Sequence, residues 1–391
     1  MVKPFQFSRL PKIFFKQGGI ADLPSIILQY GSKIILVTGK NSFQNSIHCE
    51  KLLLDFKDKG IDCHFLYIPG EPSPDIIDQA VKVFKDKIIE VVVGIGGGSV
   101  LDSGKALSAM MYRTDSIVDF LEGVGTKEHP GTKLPFIAIP TTSGTGSEAT
   151  KNAVISKVGE GGFKRSLRHD NFVPDIALVD PELTKNCTRE ITAASGMDCF
   201  TQLLEAYLSI KSNEYTDALA LEGLKAIKTS LLRSYTDGED MEARTGMSFA
   251  ALTSGICLAN AGLGAVHGFA SSIGGMYNIP HGLICGTLMA KANEVNVREL
   301  RRKSENRGAL KKYAHLGELF GDEKAKTDIY YIDNFIQFLH NLTQKLDLPG
   351  LKKYGIDEKD LKLICRKTEI KNNPVKLAEE DLVEILLNRL L

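Results

Sequence analysis

The stretch GIGGGSVLDSGK, Gly94 to Lys105, follows the largely apolar run Ile88–Val93 and constrains this chain more than any other feature. A strand that enters a glycine turn and then a helix lets backbone N–H groups approach an anion at the helix N-terminus. Three readings of the turn compete. A Walker loop needs GxxxxGK followed by Ser or Thr; here the first glycine is one residue out of step with Gly104 and Lys105, and Ala106 stands where the hydroxyl is required. The GxGxxG fingerprint is not met by Gly94, Gly96 and Gly97 either. What remains is a turn of Gly96, Gly97, Gly98 and Ser99 whose amides meet a pyrophosphate, with tight strand–helix packing as the alternative reason for the glycines. A second stretch, IPTTSGTGSEAT from Ile139 to Thr150, also leaves a buried strand and sets Thr141, Thr142, Ser143, Thr145 and Ser147 among two glycines. Two polar loops at strand ends favour a dinucleotide over a lone phosphate.

Periodicity places these loops in an α/β half. Short β-branched runs at Lys33–Thr38, Cys63–Ile68, Glu90–Ile95, Phe136–Ile139 and Ile176–Val179 read as buried strands and alternate with amphipathic helical stretches. That alternation predicts a mostly parallel sheet with helices on both faces. Pro74 and Asp75 mark one helix start, and SVLDSGKALSAMM supplies the helix after the glycine turn. Beyond residue 186 the pattern is helical to the end. The expected division is 1–185 for the α/β domain and 186–391 for an all-α domain, with a cleft between them as the ligand site. The basic stretch RELRRKSENRGALKKY reads as a solvated helix face.

Composition narrows the function classes. A chain of 391 residues, 43% hydrophobic and 25% charged, is large enough for about two cores. Acidic and basic residues balance at 48 each, so no global field favours nucleic acid, an anionic membrane or a polyanionic substrate. Seven cysteines without a CxxC pair argue against a disulfide framework and for a reducing compartment. The N-terminal residues lack the pattern of a signal peptide and no apolar run reaches a membrane span, so the expectation is a cytoplasmic protein.

The helical half carries a second constellation. SGMDCFTQLLEAY puts Asp198, Gln202 and Glu205 on one helix face, while GAVHGFASSIGGMYNIPHGL offers His267 in a glycine-flanked helix and His281 at a helix start. One carboxylate and two imidazoles from separate regions form a plausible set of metal ligands, with hydrogen-bonded core histidines as the alternative. His48, His64, His129, His169, His315 and His340 have no comparable setting and read as structural or surface residues.

GGGSVLDSGKA, IPTTSGTGSEAT, DPELT, GMDCFTQLLEAY and GLGAVHGFASSIGGMYNIPHG, in that order over nearly the whole chain, resemble the iron-containing (group III) alcohol dehydrogenase family. The resemblance implies a dinucleotide-binding α/β domain plus an all-α domain, a dehydroquinate synthase-like architecture, with a divalent metal and NAD(P) in the cleft. The activity implied is hydride transfer between NAD(P)H and a small aldehyde or primary alcohol; a glycerol dehydrogenase-like enzyme for polyols and a non-catalytic nucleotide-binding relative are the alternatives. Carried over by position, Asp198, His267 and His281 are the catalytic metal ligands. Gly96–Ser99 hold the pyrophosphate with Asp102 in the same cofactor set, the loop with Thr141, Thr142 and Thr145 lines the nicotinamide side, and Asn152 and Lys164 contact the cofactor. A homo-oligomer, dimer or larger, is also implied.

Two departures matter. Relatives usually carry histidine where this chain has Gln202, and a second histidine where it has Ser271. Gln202 would ligate through its amide oxygen or leave three protein ligands, so iron and zinc both stay open, as does a metal-free relative. The strand Lys33–Thr38 ends in TGKNS, where many NAD-using relatives place an aspartate on the adenosine ribose. Gly39 lacks that carboxylate and Lys40 and Ser42 suit a 2′-phosphate, which favours NADP over NAD.

Overall fold

The computed structural model describes residues 4–40, 43–159, 161–303 and 306–390. The first half runs β1 (Lys12–Phe15), α1 (Leu23–Ile27), β2 (Lys33–Gly39), α2 (Ile47–Asp58), β3 (Asp62–Ile68), α3 (Pro74–Phe84), β4 (Val91–Gly96), α4 (Gly98–Met110), β5 (Phe136–Pro140), β6 (Asn152–Lys157), β7 (Phe163–Arg168) and β8 (Ile176–Val179). Among the described residues six strands form one parallel sheet in the order β1-β8-β5-β4-β2-β3. Ile34–Val37, Val91–Val93 and Phe136–Ile139 are completely buried, as strands covered on both faces must be. Successive side chains serve opposite faces. Ile34, Leu36, Val91 and Val93 pack with Leu52 and Phe56 of α2, whereas Ile35, Val37 and Val92 pack with Phe84 of α3 and Leu101 and Leu107 of α4.

The chain steps from β2 outward to β3 and then returns to lay β4 on the other side of β2. This reversal makes the carboxyl ends of β2 and β4 the topological switch point, where such sheets bind ligands. Gly39 ends β2 and Gly96 ends β4 on the two sides of that switch point. Ser73 caps α3, its Oγ accepting from the Ile76 N–H at 3.3 Å, with Pro74 at the first helical position as the sequence predicts.

Three strands lie outside the five expected. β1 is short and half-exposed, and β6 pairs with β7 as an antiparallel hairpin beside the main sheet. FKRSLR of β7 has no apolar run to announce it, and its strand character comes from packing: Ala153, Ile155 and Leu167 close a core with Ala106 and Met110 of α4.

The second half is helical: α5 (Arg189–Leu208), α6 (Glu214–Thr236), α7 (Met241–Ala261), α8 (Ala265–Met276), α9 (His281–Lys303), α10 (Arg307–Phe320), α11 (Asp328–Lys345), α12 (Glu358–Lys367) and α13 (Glu379–Asn388). Thr188 caps α5, which is buried along most of its length between α6, α7 and α9. The basic stretch divides between α9 and α10 and is not simply a solvated face. Arg298 pairs with Asp381 and Glu384, Arg301 with Asp333, and Tyr313 is completely buried. Among the described residues no single helix is long and apolar enough to cross a membrane; α7 and α8 reach that measure only as a pair bent by 97°, and both are largely buried in the core.

Candidate active site

A cleft of about 830 Å³ opens between the halves, lined by Gly98, Ser99, Asp102, Thr145, Asn152 and Lys164 on one side and Gln202, His267, Ser271 and His281 on the other. On the first side, the two polar loops leave adjacent paired strands, with Gly96 of β4 opposite Pro140 of β5. The Thr141 N–H donates to the Gly96 carbonyl at 3.0 Å. A Cβ on Gly98 would lie 2.6 Å from the Thr145 side chain, and one on Gly97 3.3 Å from that of Thr142. The glycines therefore serve close packing of loop on loop as well as leaving the first turn of α4 open toward the cleft.

Lys105, the residue that suggests a Walker loop, turns the other way. It is completely buried, and its Nζ donates to the Ser147 carbonyl (2.8 Å), Thr150 Oγ1 (3.0 Å) and the Asn152 carbonyl (2.8 Å). Burial pushes its pKa down to about 8. Asp102 accepts from Ser147 Oγ and, at 3.0 Å, from the Val154 N–H, while burial raises its pKa. Both residues pin the second loop and the start of β6 to α4. Lys164 Nζ donates to Glu71 Oε2 at 2.7 Å, and Ser99 Oγ donates to Glu71 Oε1 at 3.4 Å, so a carboxylate that carries no motif joins the two predicted residues. Gly39 closes β2 beside Ile68 of β3 and Lys40 is exposed; neither lines the cleft, and Ser42 lies outside the described residues.

On the opposite side, α5, α8 and α9 bring together Asp198, His267, His281 and also Cys285, with one candidate donor atom from each within 4.8 Å of the others. Asp198 Oδ1 is 3.3 Å from His267 Nε2 and 3.7 Å from His281 Nε2. It is buried and has no hydrogen bond. Burial works against ionising Asp198, but the facing His281 and His267 outweigh it and hold the carboxyl at about 2. Burial pushes His281 down to about 4. An anionic Asp198 beside a neutral His281 is the state in which both donate to a cation, whereas His267, whose burial is outweighed by Cys285, Asp198 and Glu205 so that its pKa is raised, gives up a proton when a cation binds. An orphaned buried carboxylate oxygen between two imidazole nitrogens fits a divalent metal and leaves that oxygen unsatisfied without one.

The far nitrogen of His267 is occupied as well: Nδ1 lies 2.7 Å from Glu205 Oε2, and Glu205 Oε1 accepts from the Val266 N–H at 2.7 Å. Gln202 is buried one helical turn from Asp198, but its amide is engaged elsewhere. Its Nε2 donates to the Thr145 carbonyl and its Oε1 accepts from Ser254 Oγ, both at 3.2 Å. Ser271 lines the cleft and donates to the His267 carbonyl at 3.1 Å. The remaining histidines stay out of the cluster; His129 is buried against Phe120 and Phe172, and His340 pairs with Glu294. Sequence reasoning passed over Cys285, although its spacing of four from His281 on a helix puts both on one face.

A parallel sheet with its switch point beside a helical domain, and a carboxylate and imidazole cluster across the cleft, are the parts of a site suited to a dinucleotide and a divalent metal. Residues 11–181 match the model for iron-containing alcohol dehydrogenases and residues 192–390 that for the C-terminal part of the Fe-containing alcohol dehydrogenase family. The chain is 33% identical to alcohol dehydrogenase 4 of Saccharomyces cerevisiae over 96% of both chains, and 29% identical to the NAD-dependent methanol dehydrogenase of Bacillus methanolicus over 97% of this chain and 98% of that one. The crystal structure of a 1,3-propanediol oxidoreductase superimposes with a TM-score of 0.87 at 26% identity, covering 99% of this chain and all of the other. The chain belongs to the iron-containing alcohol dehydrogenase family, and it is an NAD(P)- and metal-dependent alcohol/aldehyde oxidoreductase.

Proposed function

We propose that the chain interconverts small aldehydes and primary alcohols, that Asp198, His267 and His281 hold its divalent metal, and that it prefers NADP(H). The observation that carries this reading is the convergence of those three side chains across the cleft from Gly98, Ser99 and Thr145. When bound, the cation polarises the substrate carbonyl oxygen and the nicotinamide carries the hydride. The protein's share is positioning in the cleft. In this reading the amides of Gly96–Ser99 would hold the pyrophosphate, with Gly98 and Ser99 lining the cleft, Thr141, Thr142 and Thr145 would hold the nicotinamide-side phosphate and ribose, and Asn152 and Lys164 would bound the reacting end. Glu205 holds His267 so that Nε2 faces Asp198.

For the choice of nicotinamide, the support is the missing carboxylate at Gly39 and the exposed Lys40 beside the switch point. We draw the domain division between residues 185 and 186, in the segment that joins β8 to α5. A cytoplasmic location is supported by seven cysteines that form no disulfide. Pairing with a second copy is supported by β1, which among the described residues is an edge strand bonded to β8 alone and whose Phe15 is exposed.

The test is oxidation of NADPH and NADH with a panel of small and hydroxylated aldehydes, on protein stripped of metal and resupplied with zinc or ferrous iron. Turnover restored by one metal, faster with NADPH, is the expected result. Silence across the panel with metal shown to be bound would overturn the assignment.

A further inference from the structure

We propose that Cys285 is a fourth protein ligand of the metal, filling the place that Gln202 leaves. The inference rests on the reading that Asp198, His267 and His281 hold the cation. Cys285 Sγ lies 3.7 Å from His267 Nε2 and 3.8 Å from His281 Nε2. With the 3.3 and 3.7 Å separations of those nitrogens from Asp198 Oδ1, four of the six edges of a donor tetrahedron are given by this structure. Donors at 2.0–2.3 Å from a tetrahedral centre stand roughly 3.3–3.8 Å apart, so the four separations are those of a site ready for the ion.

A buried cysteine is ordinarily a small apolar filler, and Cys285 is completely buried in the apolar core of α8, α9 and α12. Its sulfur nevertheless faces two imidazole nitrogens, beside the unpartnered Oδ1 of Asp198, which is 1% exposed. The position follows from α9 itself. His281 opens the helix and Cys285 comes one turn later on the same face, just as Gln202 follows Asp198 on α5. Gln202 has committed its carbonyl oxygen to Ser254 and its NH₂ to Thr145, so ligation through the amide would break a bond that Cys285 need not break.

Charge and softness agree with this assignment. Binding releases the thiol proton to solvent, and the charges of one ligating carboxylate and one ligating thiolate then match that of the dication. A thiolate among imidazoles suits zinc or ferrous iron and disfavours magnesium and calcium. Catalytic sites of this kind can expand to five donors, so a fourth protein ligand does not bar the substrate.

The experiment is cobalt(II) loading of the full-length, metal-stripped protein, followed by absorption spectroscopy. Wild type should show cobalt d–d bands together with a near-ultraviolet thiolate-to-cobalt charge-transfer band. Cys285→Ser, which keeps the shape of the side chain, and Cys285→Ala should keep d–d bands, lose the charge-transfer band and bind cobalt roughly tenfold or more weakly. Far-ultraviolet circular dichroism and retained NADPH binding establish that the variants are folded. D–d bands without charge transfer in wild type would overturn the role of Cys285 and leave the three-residue site standing. A charge-transfer band that survives in Cys285→Ser would overturn it in favour of another cysteine. No cobalt bound at all would overturn both readings.

Discussion

Glu205 Oε2 lies 2.7 Å from Nδ1 of His267, two turns along α5 from Asp198, which faces the other nitrogen of the same ring. One helix thus supplies one member of the proposed metal cluster and the carboxylate that orients another. Such a carboxylate fixes the tautomer and strengthens the imidazole as a ligand. Glu205→Gln keeps the shape and removes the charge; metal affinity, measured by competition with a chelator, should fall about 10- to 100-fold. Unchanged affinity would reduce Glu205 to a helix-packing residue.

His267→Ala and His281→Ala should each strongly reduce metal retention and abolish turnover, because each removes an imidazole donor that faces the buried Asp198. Metal content after dialysis, read by elemental analysis beside activity, checks this. Full occupancy in either variant would remove that histidine from the ligand set.

Gly39→Asp places a carboxylate at the end of β2 beside the switch point. The ratio of kcat/KM for NADPH to that for NADH should move toward NADH by roughly tenfold, the scale of one lost or gained charge-assisted contact. An unmoved ratio would mean that the turn does not read the 2′-phosphate.

Lys105→Ala removes a buried ammonium that ties Ser147, Thr150 and Asn152 to α4 and leaves Asp102 without its cation. The expected loss is about 3–5 kcal/mol in stability, read from urea denaturation, together with a raised KM for the dinucleotide. A variant as stable as wild type would show that the loop holds its place without the pin.

His129 supplies the pH test. Its Nδ1 accepts from the Gly131 N–H at 3.0 Å and its Nε2 faces the Ala109 carbonyl at 3.2 Å, so the folded ring has no room for a second proton. Burial, chiefly, lowers its pKa from 6.5 to about 4. Between those values the unfolded chain holds a proton that the folded chain does not, so the His129 contribution to stability is intact above 6.5 and is lost as pH falls toward 4. The contribution lost is on the order of 2–3 kcal/mol. Histidine C2 hydrogen exchange followed by mass spectrometry should give a midpoint well below 6.5 for His129; an ordinary midpoint would contradict the burial argument.

Much of this was legible before any fold was known. Local patterns are properties of neighbouring residues, so β-branched runs announced β2, β4, β5 and β8, glycine and threonine loops marked the strand ends, and the proline before His281 marked the start of α9. The candidacy of Asp198, His267 and His281 also came from residue type and spacing, and the fold brings the three together. Tertiary structure alone decided the directions of side chains whose partners lie far off in sequence. Lys105 turns into the core instead of toward a phosphate, Gln202 turns to Ser254 and Thr145, Glu71 joins Lys164 to Ser99, and Cys285 meets His267 across a helix pair. A helix period says which residues share a face; what that face meets is set by the packing of other elements against it, and no local pattern carries that information.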